Sequence, residues 1–266
     1  MEIQILGSVF LSFGDRQYVL ASKRESTVLT LLALSPRETV PSDLLVDELW
    51  ADKKMANARN ALQANVSRLR KYLESITGIK GGALIRTVGS GYLLDVPPET
   101  VDAHRFLKLA EAGAALVHRD PAQAVGRLEQ ALALWRGPAL TDACEGLRGR
   151  ISAAHLEERR ITAYEDLTTA RLAAEAHRVS VSELRQLADE HSERERLSEL
   201  LMLALYRDGR QSEALEVFHG ARRRLASDLG LEPGRALHRV YEAILKQDEA
   251  LGEPRQTLVQ AGRVSY

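Results

Sequence analysis

The chain has 266 residues, 45% hydrophobic and 27% charged, which is length for about two domains with cores of their own and too apolar a composition for a disordered chain. A net charge of −1 and a single cysteine, Cys144, exclude a disulfide framework, a multi-cysteine metal site and a uniformly basic surface. No apolar run approaches the ~20 residues that span a bilayer, and no signal-peptide pattern opens the chain, so the expectation is a cytoplasmic protein without membrane contact.

The opening residues alternate. Ile3, Ile5, Val9, Leu11 and Phe13 fall at period two, the pattern of half-buried strands, and the turn Gly14-Asp15 returns Gln17–Leu20 as another short strand. From Lys23 the period becomes helical. Val28, Leu29, Leu31, Leu32 and Leu34 predict a helix that ends near Ser35, because Pro36 disfavours helical geometry in the residue before it. Ser42 then reads as the N-cap of a short helix, Asp43 to Trp50, with Leu44, Leu45 and Leu49 facing inward.

Residues 57–76 are the most informative stretch. Leu62, Val66, Leu69, Leu73 and Ile76 lie at i, i+4, i+7, i+11 and i+14, a single buried stripe. At ~100° per residue the opposite face presents Asn57, Asn60, Ala64, Ser67, Arg68 and Lys71, flanked by Gln63 and Arg70, with no acid before Glu74. Arg59 belongs to the same basic stretch. From Lys53 to Arg86 the bases Lys53, Lys54, Arg59, Arg68, Arg70, Lys71, Lys80 and Arg86 stand against Glu74 alone, a balance of +7, whereas the chain beyond Asp95 carries −3. A concentrated positive stripe on a nearly neutral chain points to a polyanion-binding surface, although a solvated helix face would give the same count.

The residue types narrow this to double-stranded DNA read in the major groove. Asn and Gln side chains match adenine edges, arginine matches guanine, and alanine lies against a thymine methyl. Cations further along a helix reach phosphates and fix the register. On this reading Arg68 contacts guanine and Lys71 a phosphate. A hairpin follows: Ala83–Val88, a turn at Gly89-Ser90-Gly91, then Tyr92–Val96. Short helix, turn, long amide-and-arginine helix and hairpin make a winged helix-turn-helix, with Arg86, Thr87 and Ser90 as the wing contacts. The Gly-Ser-Gly turn joins two strands and opens no helix, so it is not a phosphate-cradling loop.

Strands preceding the first helix, the run Val66-Ser67-Arg68-Leu69-Arg70-Lys71, and Gly91-Tyr92 closing the hairpin resemble the DNA-binding domain of OmpR/PhoB-type response regulators. No receiver domain fits before residue 2, so the resemblance carries no expectation of phosphorelay control. The chain departs from the pattern in its wing turn, which lacks a basic residue, and in Leu93, where some relatives place an arginine.

Pro97-Pro98 marks the expected boundary, dividing residues 1–96 from a helical domain at 97–250 and a disordered tail at 251–266. Helical patterns run from about 102 to 116, 121 to 135, 147 to 175, 182 to 190, 193 to 207, 211 to 229 and 233 to 247, with no strand pattern between them. A small-large-small spacing recurs at Ala124-Leu128-Ala131, Ala163-Leu167-Ala170 and Ala214-Phe218-Ala221, the core of a tetratricopeptide (TPR) second helix. The predicted fold is an α+β winged helix-turn-helix followed by an all-α TPR-like helical domain.

The segments VDAHRFLKLAEAG, ALALWRGPALTD and LLMLALYRDGRQSEALEVFHGARRRLASDLGLEP resemble the bacterial transcriptional activation domain. With the winged helix in front, residues 2–250 resemble the short form of the Streptomyces antibiotic regulatory protein (SARP) family. That resemblance implies a nucleoid-associated activator of a secondary-metabolite gene cluster. It also implies side-by-side homodimers on direct repeats and contact with RNA polymerase holoenzyme. An adaptor built on a TPR-like groove, with a structural winged helix, is the alternative; the segregated charge favours the DNA reader.

Nothing catalytic assembles in the sequence. The seven histidines form no helical i, i+4 pair, Cys144 has no histidine near it, and Asp142, Glu145 and Glu157 read as surface acids. No cofactor, metal or enzymatic activity is expected. Trp135 and Tyr206 read as core residues before they read as an effector pocket.

Overall fold

The computed structural model describes residues 1–50, 57–143, 145–174, 179–248 and 251. Lys53, Lys54, Cys144 and residues 252–266 lie outside the described residues, and with them the readings of the lone thiol and the tail; Leu251, within the expected tail, is buried.

Three short strands, β1 (Glu2–Gln4), β2 (Phe10–Phe13) and β3 (Arg16–Val19), form an antiparallel sheet in that order, with Ile3 opposite Leu11. Ile3, Ile5, Val9 and Leu11 are buried as their alternation predicts, while Phe13, at the strand end, is exposed. α1 (Lys23–Ala33) follows, its last turn completed by Leu34, two residues before Pro36. β4 (Val40–Pro41), α2 (Ser42–Leu49) and α3 (Ala58–Thr77) come next. Ser42 lies inside the first turn of α2, and Pro41, which has no capping side chain, occupies the N-cap. Of the three leucines expected to face inward, Leu45 alone is buried; Leu44 and Leu49 are half-exposed. Glu48 and Trp50 take the remaining interior positions.

Along α3, Leu62, Val66, Leu69 and Leu73 are all but fully buried, and Ile76 is half-buried near the end. Gly78 stops the helix in the left-handed conformation that favours glycine. A four-residue helix, α4 (Gly81–Leu84), replaces the first residues of the expected strand. Gly81 is obligatory there: a Cβ would stand 2.2 Å from the Arg70 carbonyl oxygen. β5 (Ile85–Val88) and β6 (Gly91–Leu94) form the wing, with Val88 opposite Gly91, so the turn is Gly89-Ser90. β4 pairs with β6 to complete an antiparallel sheet of order β4-β6-β5, a strand too short to leave a period in the sequence.

The remaining helices are α5 (Asp102–Ala114), α6 (Pro121–Leu132), α7 (Leu147–Ala173), α8 (Val181–Glu190), α9 (Glu195–Arg207), α10 (Gln211–Leu229) and α11 (Arg235–Leu245). By its internal contacts the chain forms two compact units. One comprises Met1–Glu111 with Glu129–Thr162, the other Ala112–Leu128 with the described part of Ala163–Tyr266.

The first unit extends past the proline pair because its N-terminal strand needs partners there. Val101 bridges Ile3 in parallel, and the buried Asp102 carboxylate accepts the Ile5 and Leu6 N–H groups at 2.8 and 3.1 Å. Arg136 donates to Asp102 at 3.0 Å and to the Ser8 carbonyl at 3.0 Å. Burial pushes the Asp102 carboxyl above its ordinary range even against these donors. Backbone bonds from Arg136 to Leu6 and from Leu140 to Ile5, both 2.9 Å, stitch residues 136–140 to the same segment. Phe106 meets Trp135 edge-on at 5.2 Å, so Trp135 is core, as its sequence context suggests. Glu48 is drawn inside because its carboxylate caps α7, accepting Arg148 and Gly149 N–H groups at 2.7 and 3.0 Å.

In the second unit α9 packs against α8, α10 and α11, and every residue from Leu197 to Leu205 is buried. Phe218 of α10 stacks on Tyr241 of α11 with centroids 4.0 Å apart. Eight of the nine residues of the small-large-small triplets belong to this unit, and all nine are buried. Gly113 allows close approach of its neighbour: a Cβ would stand 2.6 Å from Leu128.

Candidate nucleic-acid interface

The buried stripe of α3 fixes what its other side presents. Asn57, Arg59, Asn60, Gln63, Ala64, Ser67, Arg68 and Lys71 are all exposed, as are Arg86, Thr87 and Ser90 on the wing. The structure therefore brings eleven of the twelve expected contact residues to the surface of one winged helix. A cleft of about 210 Å³ lies between them, lined by Ser42 and Asp43 at the start of α2, Arg59 and Gln63 of α3, and Thr87 and Ser90 of the wing. The Ser42 N–H donates to the Ser90 carbonyl at 3.0 Å, tying the wing tip to α2.

Arg70 is the twelfth, and it turns away from the row. Its Nε donates to the Ile85 carbonyl at 2.8 Å, its Nη2 donates to Thr87 Oγ1 at 2.8 Å, and the guanidinium lies 5.8 Å from the Tyr92 ring centroid. Half-buried, hydrogen-bonded to β5 and lying against the Tyr92 ring of β6, Arg70 ties α3 to the wing.

The cations are also less free than the +7 balance suggests. Arg59 pairs with Asp43 at 2.7 Å, Arg86 with Asp95 at 3.2 Å, and Arg68 with Glu25 at 2.9 Å. Those acids come from α2, from the end of the wing and from α1. An acid-free stretch of α3 consequently does not make an acid-free surface. The Arg59 and Arg86 pairs are solvent-exposed and contribute little, so a phosphate can replace either acid at small cost. Glu25 is different, its side chain only 14% exposed. Lys71 and Lys80 have no charged partner among the described residues.

The three acids read as surface residues each engage a partner within the fold. Asp142 accepts the Val9 N–H at 3.2 Å, Glu157 accepts the Ala139 N–H at 2.7 Å, and Glu145 pairs with Lys23 at 2.5 Å. The Lys23 ammonium holds the Glu145 carboxyl below its ordinary range. Among the described residues no His/Cys/Asp/Glu cluster is arranged to hold a metal, and no helix is long and apolar enough to cross a membrane.

Comparison with known proteins agrees with the winged helix and extends it. Residues 16–94 match the family described as transcriptional regulatory protein, C terminal, and residues 101–245 match the bacterial transcriptional activator domain. Transcriptional regulator RedD of Streptomyces coelicolor is 44% identical over 96% of this chain and 73% of its own length. Regulatory protein DnrI of Streptomyces peucetius is 34% identical over 94% of both chains. Mycobacterium tuberculosis EmbR, solved in complex with a low affinity phosphopeptide, superposes with a TM-score of 0.86 at 30% identity, covering 94% of this chain and 68% of that one. These families and relatives are regulators of transcription, not enzymes. With a winged helix of OmpR/PhoB type and a bacterial transcriptional activator domain in one chain, this protein belongs to the Streptomyces antibiotic regulatory protein family of transcriptional regulators.

Proposed function

We propose that this regulator is a sequence-specific activator that inserts α3 into the major groove of double-stranded DNA. The observation that carries the reading is the row Asn57, Asn60, Gln63, Ala64, Ser67, Arg68 and Lys71, exposed along one side of a helix whose other side is core. Amides and a small residue lead the row and cations end it, so base-edge groups precede phosphate groups along one face. Arg59, Arg86, Thr87 and Ser90 add backbone contacts around the cleft. Arg70 supports them from behind by holding the wing.

Two copies bind direct repeats near a promoter, side by side. Direct repeats relate the copies by translation, so their contact is heterologous and forms on the DNA template. The helical region, with its buried small-large-small triplets, acts as a TPR-like surface toward RNA polymerase holoenzyme. Family membership supports a pathway-specific role at a secondary-metabolite gene cluster, carried out at the nucleoid.

Selection of genomic fragments by the protein against random competitor, followed by affinity measurements at several salt concentrations, tests this. A repeated motif should emerge, with log affinity falling steeply against log salt as phosphate-bound counterions are released. Salt-insensitive binding with no enriched motif would overturn the proposal in favour of an adaptor working through the helical region.

A further inference from the structure

Glu25 belongs to α1, yet its carboxylate reaches the exposed face of α3. Oε1 accepts the Arg68 Nε–H at 2.9 Å, and Asn65 Oδ1 accepts from Arg68 Nη2 at 2.8 Å. Both acceptors are largely withdrawn from solvent. Asn65 is 3% exposed, and its own Nδ2 donates to the Ala61 carbonyl at 2.7 Å, which settles how the amide faces and turns Oδ1 toward Arg68. Glu25 sits in the first turn of α1, where a carboxylate also favours the helix, with its side chain 14% exposed. The Arg68 side chain is 59% exposed.

Counting donors shows what this leaves. A guanidinium has five N–H groups, and Nε and Nη2 share one edge of its plane. Glu25 and Asn65 take one hydrogen from each of those atoms. One hydrogen on Nη2 and two on Nη1 remain, without partners among the described residues. They define the adjacent Nη1/Nη2 edge, a two-pronged donor of the kind that matches guanine O6 and N7. An arginine held along one edge and open along the next surrenders less side-chain freedom on binding than an unheld one.

We propose that Glu25 is a specificity-determining positioning residue, which holds Arg68 from α1 so that its Nη1/Nη2 edge reads one guanine in each half-site. The proposal rests on the reading of α3 as the DNA-contacting helix. It makes an unusual demand of an acid beside a polyanion. Simple repulsion predicts that removing Glu25 tightens binding to every sequence. Positioning predicts a loss confined to a single base pair.

The experiment selects binding sequences with the full chain, as wild type and as Glu25→Ala, Glu25→Gln, Arg68→Ala and the Glu25→Ala/Arg68→Ala double variant. Affinities at fixed salt follow, for the selected motif and for the motif altered at one base pair, with thermal melting of each variant. Arg68→Ala should erase a guanine preference at one position. Glu25→Ala should erase the same preference and no other, weakening the selected motif roughly tenfold while leaving the altered site unchanged or slightly tighter. Glu25→Gln keeps an oxygen acceptor without the charge and should fall between wild type and Glu25→Ala. The double variant should bind no more weakly than Arg68→Ala, since both remove one contact.

Tighter binding by Glu25→Ala to all sequences, with the guanine preference intact, would overturn the proposal and make Glu25 a competitor of DNA for Arg68. Equal losses across all positions with a lowered melting temperature would overturn it in favour of a simple tie between α1 and α3. Retained preferences in Arg68→Ala would show that another residue reads the guanine. Failure of the wild type itself to select a motif would remove the DNA reading of α3, and this proposal with it.

Discussion

α3 and α9 are both long, leucine-bearing helices, and their surroundings give them opposite uses. α9 is enclosed by α8, α10 and α11, and its residues from Leu197 to Leu205 are buried whatever direction they face. α3 buries Leu62, Val66, Leu69 and Leu73 and leaves the other side open. A helix enclosed all round holds a unit together and has no surface left to offer, whereas a helix with one uncovered polar side is available to a partner. The comparison implies that substitutions in α9 alter stability without altering recognition, and that substitutions on the open side of α3 do the reverse.

The largest effect is expected from Leu200→Ala, at a fully buried position of α9. The cavity should cost about 2–5 kcal/mol in urea unfolding, with the DNA affinity of the folded protein unchanged. A loss below about 1 kcal/mol would mean that α9 is less enclosed in solution than described. Arg68→Ala comes next. Specific binding should weaken by ~1–3 kcal/mol and preference should relax at one base pair, while unfolding changes by less than about 1 kcal/mol.

Arg70→Ala sharpens the comparison, because Arg70 belongs to α3 but faces the wing. Loss of its bonds to Ile85 and Thr87 should cost roughly 1–2 kcal/mol of stability and speed amide exchange in β5. DNA binding should weaken without a change of base preference; a preference lost at one position would return Arg70 to the reading face. Lys71→Ala should weaken all sequences alike and flatten the slope of log affinity against log salt by about one.

The smallest effect belongs to Glu199 of α9. Burial raises its carboxyl above the ordinary range despite the Arg196 guanidinium at 2.9 Å. The folded state therefore holds this proton more tightly than the unfolded chain. Its contribution favours folding below the unfolded value and is lost as pH rises through the folded one. Glu199→Gln should match the wild type in urea near about pH 4 and exceed it near about pH 7. A wild type that gains on the variant as pH rises would reverse the sign.

What was legible in the sequence follows from range. The stripe Leu62 to Leu73, the alternation from Ile3 to Leu11 and the end of α1 before Pro36 are local patterns, and each is realised. β4 and α4 were not legible, since elements of two and four residues carry no period. Leu44 and Leu49 were misplaced because Glu48 is drawn inside by N–H groups about 100 residues further along the chain. The site shows the same divide. Which residues of α3 are exposed could be read from the stripe, Arg70 excepted, because the strand that engages it lies about 15 residues further on. The acids that restrain Arg59, Arg68 and Arg86 arrive from other elements, so the freedom of those cations could not be read.

Asp102 and Glu48 bear on how such regulators can be recombined. A fragment cut at the proline pair would strip the Ile5 and Leu6 N–H groups of their carboxylate and leave Glu48 with no helix end to cap. A contiguous piece that keeps those partners must run at least to Gly149, and the compact unit that contains them ends at Thr162. On the proposed reading of α3, exchange of DNA specificity between relatives would graft its exposed side chains, with Glu25 and Asn65, onto an intact chain. Swapping everything upstream of residue 97 would leave a seam through the hydrogen bonds that hold the first strand in place.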